Sequence, residues 1–173
     1  MAIQYAKAMG YKTLAVDVKD KQLEFAKSVG ATATLNTKTV KSVKEEVDRI
    51  TGTRGVQVAL TTSGVGAVYK TAFEITRSHG RIVAIGLSRG ALPLTADDFV
   101  LDCKEYDPLW VVSNSRLVGT LAPGQKDIKE CVDYSFKHGI FGHITERKLE
   151  DFNELVDNMK NDRVVGRQVV VFE

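Results

Sequence analysis

Backbone N–H groups at the mouth of a helix hold phosphate when glycines let them come close. Thr62-Ser63-Gly64-Val65-Gly66 stands in the right context for this, after a predicted strand and at the start of a predicted helix. The pattern is incomplete, because the third glycine of such a loop would fall where Tyr69 stands. A helix start with loose turn glycines accounts for the stretch better than a phosphate cradle. Zinc needs Cys and His at ligand spacing. His79, His138 and His143 with Cys103 and Cys131 offer no C-x-x-C and no H-x-x-x-H pair, so no metal ligand is assigned. Asp102 and Glu105 flank Cys103, and neighbouring carboxylates raise a thiol's pKa rather than lower it. No nucleophile has a base partner, and no catalytic residue is assigned.

The elements that would position these residues follow from hydrophobic spacing. Ala2 to Met9 reads as a helix, and Lys12 to Asp17 (KTLAVD) as a strand covered on both faces. Asp20 to Val29 places Leu23, Phe25, Ala26 and Val29 on a helical stripe closed by Gly30. A weak strand (Ala31 to Leu35), a helix (Val40 to Ile50), a strand (Val56 to Leu60), a helix (Val65 to Thr76) and a strand (Arg81 to Gly86) continue the alternation. Short strands alternating with longer helices predict a parallel α/β sheet with right-handed crossovers. The rhythm breaks from Leu87 to Ser115. Leu117 and Val118 then form a short edge strand, followed by helices over Lys126 to Lys137 and Leu149 to Asn161 and a last strand, Arg167 to Phe172.

Composition narrows the function classes. The 173 residues carry a net charge of +2, with 43% apolar and 27% charged residues. That is the make-up of a globular domain with no electrostatic case for nucleic acid or an anionic membrane. Two cysteines cannot build a disulfide framework and suit a reducing compartment. The start has neither a cationic leader nor an apolar run near the ~20 residues of a spanning helix. The expected location is the cytoplasm.

Four stretches together, AIQYAKAMGYKTLAVD (2–17), KSVGATATLNT (27–37), GRIVAIG (80–86) and VVGRQVVVF (164–172), resemble the medium-chain dehydrogenase/reductase family in its zinc-type alcohol dehydrogenase branch. The likeness covers nearly the whole chain and is weakest from Leu87 to Ser115. Within that stretch, Asp98 to Asn114 departs from the family by a surplus resembling LDCKEYDPLWVV, where Leu109 and Trp110 could add an apolar contact or simply form an odd loop.

The resemblance implies a Rossmann-type doubly wound parallel sheet lacking its first strand and glycine turn. In the order 3-2-1-4-5-6 that strand would lie between Lys12–Asp17 and Val56–Leu60. It also implies a truncated dinucleotide-binding domain over residues 1–137, and a segment over 138–173 that in the family returns to the catalytic domain. The family's zinc ligands have no counterpart in this chain.

Site residues follow by the same resemblance. Asp17 matches the acid that hydrogen-bonds the adenine ribose, and would favour NAD over NADP because a carboxylate repels a 2′-phosphate; otherwise it is an ordinary strand-end carboxylate. The family often has a lysine where Gln22 stands, so Lys21 is an approximate substitute or a solvated helix-start lysine. Arg167 matches an arginine that reaches the pyrophosphate. Ile85, Gly86 and Leu87, and then Gly119 and Thr120, match strand ends beside the nicotinamide, although Gly86 also serves the turn itself. The implied activity is NAD(H)-linked alcohol and aldehyde oxidoreduction, with NAD binding weak or lost and no turnover by the chain alone. The alternatives are a non-redox binding or interaction protein that keeps the sheet, and a non-functional fragment. The expected partners are a small nucleotide and, through exposed sheet edges, further copies of the chain.

Overall fold

A computed structural model describes residues 1–87, 90–95, 116–120, 123–161 and 163–172. Cys103 with its acidic neighbours, and the whole Asp98–Asn114 surplus, lie outside the described residues. The chain divides into two compact units, residues 1–38 with 123–173, and residues 39–122.

The first unit opens with α1 (Ala2–Ala8), β1 (Leu14–Asp17), α2 (Asp20–Ser28) and β2 (Ala33–Asn36). β1 and β2 pair in parallel, Leu14 opposite Ala33 and Asp17 opposite Asn36. Leu23 and Ala26, three apart on α2, are buried with Ala31 and Leu35. The unit is completed by α5 (Gln125–His138), β6 (Ile144–Arg147), a 3₁₀ turn (Leu149–Asp151), α6 (Phe152–Lys160) and β7 (Arg167–Val170). β6 and β7 are parallel, with Thr145 opposite Gln168.

The sequence reading has no strand at Ile144–Arg147. Periodicity misses it because its half-buried positions are Thr145 and Arg147, while Ile144 and Glu146 are exposed. The apolar alternation that marks an ordinary half-buried strand is absent.

The second unit contains α3 (Val43–Thr51), β3 (Val56–Thr61), α4 (Gly66–Ile75), β4 (Thr76–Ala84) and β5 (Arg116–Gly119). The side chain of Ser42 caps α3 by accepting from the Glu45 N–H at 3.3 Å. Strands run in the order β3-β4-β5, all parallel. Ala59, Ala72, Phe73 and Ile82 form a buried cluster, with Val56, Leu94 and Leu117 packed against it. β4 starts at Thr76, earlier than expected. Its register against β3 shifts between Val56, which faces Thr76, and Val58, which faces Arg81. His79 takes a left-handed φ of 60° in that irregular stretch.

Among the described residues every strand pair is parallel, as the alternation of short strands and helices requires. Among the described residues no strand pairs with the second edge of β1 or with the second edge of β3.

Candidate functional site

Asp17 is the last residue of β1, and the chain turns on its carboxylate. Oδ1 accepts the N–H of Val18 at 2.7 Å and of Lys19 at 2.9 Å. An aspartate that bonds its own following backbone in this way closes a strand and orients its own side chain. The Asp17 carbonyl accepts the Thr37 N–H at 3.0 Å, which ties the end of β1 to the end of β2. Beside it, Asn36 Nδ2 donates to Asp20 Oδ1 at 2.6 Å. No hydrogen bond among the described residues engages Asp17 Oδ2. One oxygen of the carboxylate is spent on the turn, and the other remains an acceptor at the C-terminal end of a parallel strand.

Lys21 is exposed in the first turn of α2, and Arg167 is exposed at the start of β7. The Arg167 N–H donates to the His143 carbonyl at 2.7 Å. Gly166 before it has φ +75°, and a Cβ there would come within 2.6 Å of the same carbonyl oxygen. The glycine of the VVGR motif is therefore required by the close approach of the two strands.

In the second unit, Ile85, Gly86 and Leu87 leave the C-terminal end of β4, and Thr120 leaves that of β5. The N–H groups of Ile85 and Gly86 converge on the Thr61 carbonyl at 3.0 and 2.8 Å. Thr120 contacts the Ala84 carbonyl through both N–H and Oγ1, each at 3.3 Å. Any Cβ on Gly86 would run into the backbone of Ser63, so this glycine holds two chain segments together. Ile85 and Leu87 stay exposed.

The Gly-x-Gly stretch is a helix start. Val65 caps α4 without a side-chain bond. Pro93 lies against the first residue of that helix, 2.9 Å from where a Cβ on Gly66 would sit. Where a phosphate loop would carry its third glycine, Tyr69 is 2% exposed and donates its hydroxyl proton to the Gly86 carbonyl.

Among the described residues no three His, Cys, Asp or Glu side chains gather into a group able to hold a metal ion. Zinc thus has no fitting donor set among the described residues. His138 ends α5, where the helix dipole favours a cation, and its ring stacks on Tyr134 at 4.2 Å. Tyr5 has two polar partners, its hydroxyl lying 3.0 Å from Cys131 Sγ and 2.5 Å from Ser135 Oγ. The bond to Cys131 is the main cause that raises the phenol above its ordinary value.

Arg147 and Arg163, which no motif in the sequence marks, are brought by the fold around one cleft with Lys21. The only sequence signal was the i, i+2 spacing of Thr145 and Arg147, visible once a strand is known there.

A family profile described as zinc-binding dehydrogenase matches residues 1–136. An alcohol dehydrogenase of Geobacillus stearothermophilus is 28% identical, over 98% of this chain and 46% of its own length. The chain therefore spans about half the length of that relative. The alcohol dehydrogenase of the hyperthermophilic archaeon Aeropyrum pernix superposes with a TM-score of 0.81 at 22% identity, covering 99% of this chain and 46% of that one. Benzyl alcohol dehydrogenase from Acinetobacter calcoaceticus gives 0.79 at 20%, with coverages of 99% and 46%. These likenesses establish the Rossmann-like architecture of the parallel sheets.

Proposed function

Because the chain belongs to the zinc-binding dehydrogenase family, we propose that it is the dinucleotide-holding portion of an NAD(H)-linked alcohol or aldehyde oxidoreductase and turns over no substrate alone. The observation that carries this reading is the Asp17 carboxylate, fixed through Oδ1 with Oδ2 left for a ribose hydroxyl. A carboxylate there supports NAD rather than NADP, because it repels a 2′-phosphate. Arg167, exposed at the start of β7, is the residue proposed to meet the pyrophosphate. Ile85, Gly86, Leu87 and Thr120, at the ends of β4 and β5, are proposed to line the nicotinamide end. Lys21 is assigned at most an electrostatic contribution. Hydride transfer in this reading needs charge stabilisation at the substrate oxygen, typically worth several kcal/mol of barrier. Among the described residues no His, Cys, Asp or Glu cluster is gathered to hold a metal ion for it.

Calorimetric titration with NADH, followed by an absorbance assay of NADH with a simple aldehyde with and without added zinc, tests both halves. Weak binding without turnover is expected. Zinc-dependent NADH oxidation would overturn the inactivity, and absence of any NADH binding would overturn the nucleotide role. A second reading, a non-redox interaction protein, is favoured by one face of β3, where Val58 and Leu60 are 48% and 46% exposed. Association without NADH binding would select it.

A further inference from the structure

We propose that the first unit carries a separate site for a small phosphomonoester, in the cleft between α2, the β6–β7 pair and α6. The cleft has a volume of about 300 Å³, and the described residues lining it include Lys21, Arg147 and Arg163 but no aspartate or glutamate. Of the nucleotide positions named above only Lys21 lines it; Asp17 and Arg167, proposed to meet the ribose and the pyrophosphate, do not.

The arrangement follows from the elements. On a strand, alternate side chains share a face, so Thr145 and Arg147 point together into the cleft from β6. Arg147 is held from behind, since its Nε donates to Gln168 Oε1 on the paired strand at 2.9 Å. Its terminal N–H groups remain, and a guanidinium fork matches two oxygens of one phosphate. Lys21 reaches the same space from α2. Phe25, one turn further on the same helical face, packs its ring 5.0 Å from that of His143 and so holds the helix against the chain entering β6.

Charge completes the case. Among the described residues no carboxylate lies within ion-pair distance of Lys21 or Arg147. Arg163 is paired with Asp157 at 3.2 Å, but both side chains are exposed, where such a pair is weak. Permanent cations gathered in one cleft repel each other, and an anion relieves that repulsion. Thr145 adds a hydroxyl for a further phosphate oxygen. Leu155 and Val165 supply apolar wall, which bare phosphate would not use and the carbon skeleton of a monoester would.

The test is calorimetry of the full chain with inorganic phosphate and with phenyl phosphate, at ionic strength balanced by chloride. Both should bind, phenyl phosphate the more tightly. Lys21→Gln and Arg147→Gln should each weaken binding about tenfold, the usual scale for one charge-assisted contact. Asp17→Asn, which keeps the turn before Lys21, should leave it unchanged, and NADH should not compete. Lys21 is exposed, so its variant remains informative if Arg147→Gln, which loses the Gln168 contact, fails to fold. Equal affinity in the Lys21 variant, no binding at all, or binding of inorganic phosphate with phenyl phosphate excluded would each overturn the proposal. Competition by NADH or loss of phosphate binding in Asp17→Asn would place the anion at the nucleotide positions, and overturn it too. Failure of NADH to bind at all would overturn only the nucleotide reading.

Discussion

The buried hydroxyl of Tyr69 donates to the main-chain carbonyl of Gly86, joining the first turns of α4 to the chain leaving β4. The bond holds the strand end from which Ile85 and Leu87 project. Gly86 is only half-buried, so water can take over part of the lost bond. Tyr69→Phe should therefore cost about 1 kcal/mol of stability. Tyr69→Ala should cost about 3–5 kcal/mol, because it also empties the core beneath α4. Urea denaturation midpoints would separate the two.

Gly86 and Gly119 end neighbouring strands but differ in what surrounds them. A Cβ on Gly86 meets the Ser63 backbone, whereas one on Gly119 meets nothing within 4 Å. Gly86→Ala should destabilise by about 1–3 kcal/mol, as overpacking against backbone does. Gly119→Ala should be neutral or stabilising by about 0.5 kcal/mol, since alanine loses less freedom on folding. Equal thermal shifts in the two variants would contradict the geometry.

At Asp17 the turn and the proposed ribose contact are separable. Asn keeps an oxygen for the Val18 and Lys19 N–H groups, so Asp17→Asn should fold with near-native stability, while Asp17→Ala loses the turn as well. Both should weaken NADH binding about tenfold, the loss expected for a hydrogen bond to a charged group. Arg167→Ala should weaken it independently. Calorimetry showing unchanged NADH affinity in all of them would exclude these residues from the site.

The Tyr5 phenol titrates above its ordinary 10.0 chiefly through its bond to Cys131, while Ser135 pulls the other way. A raised folded value favours the protonated phenol in the native state. Its contribution is present below pH 10.0, the unfolded value, and is lost as pH rises through the folded value. Cys131→Ala should move the Tyr5 midpoint down. Ring-proton NMR against pH would read the change, and an unmoved midpoint would count against the assigned cause.

Val58 and Leu60 share one face of β3 and stay exposed, next to a strand edge with no described partner. Apolar strands of this kind associate. Light scattering should show concentration-dependent association of the purified chain, reduced in the Val58→Lys/Leu60→Lys double variant. A monodisperse monomer across the concentration range would remove this expectation.

Much of the architecture is written in local pattern. KTLAVD and RIVAIG are apolar runs of strand length, and Leu23 with Ala26 falls on one helical stripe, so the parallel α/β alternation and the family are legible without coordinates. Asp17 is legible locally as a carboxylate that closes an apolar strand, while its proposed ribose role comes from the family resemblance alone. What tertiary structure alone decided concerns contacts between residues far apart in sequence. That Gly86 admits no Cβ depends on Ser63, and that Gly166 admits none depends on His143. β6 escaped notice because its covered face is polar, and that face has meaning only beside Lys21 and Arg163, which arrive from other elements. Periodicity reports which side of an element is apolar. It carries no record of which distant cations or backbone atoms the fold will set against that side, because those meetings are fixed by packing rather than by neighbours along the chain.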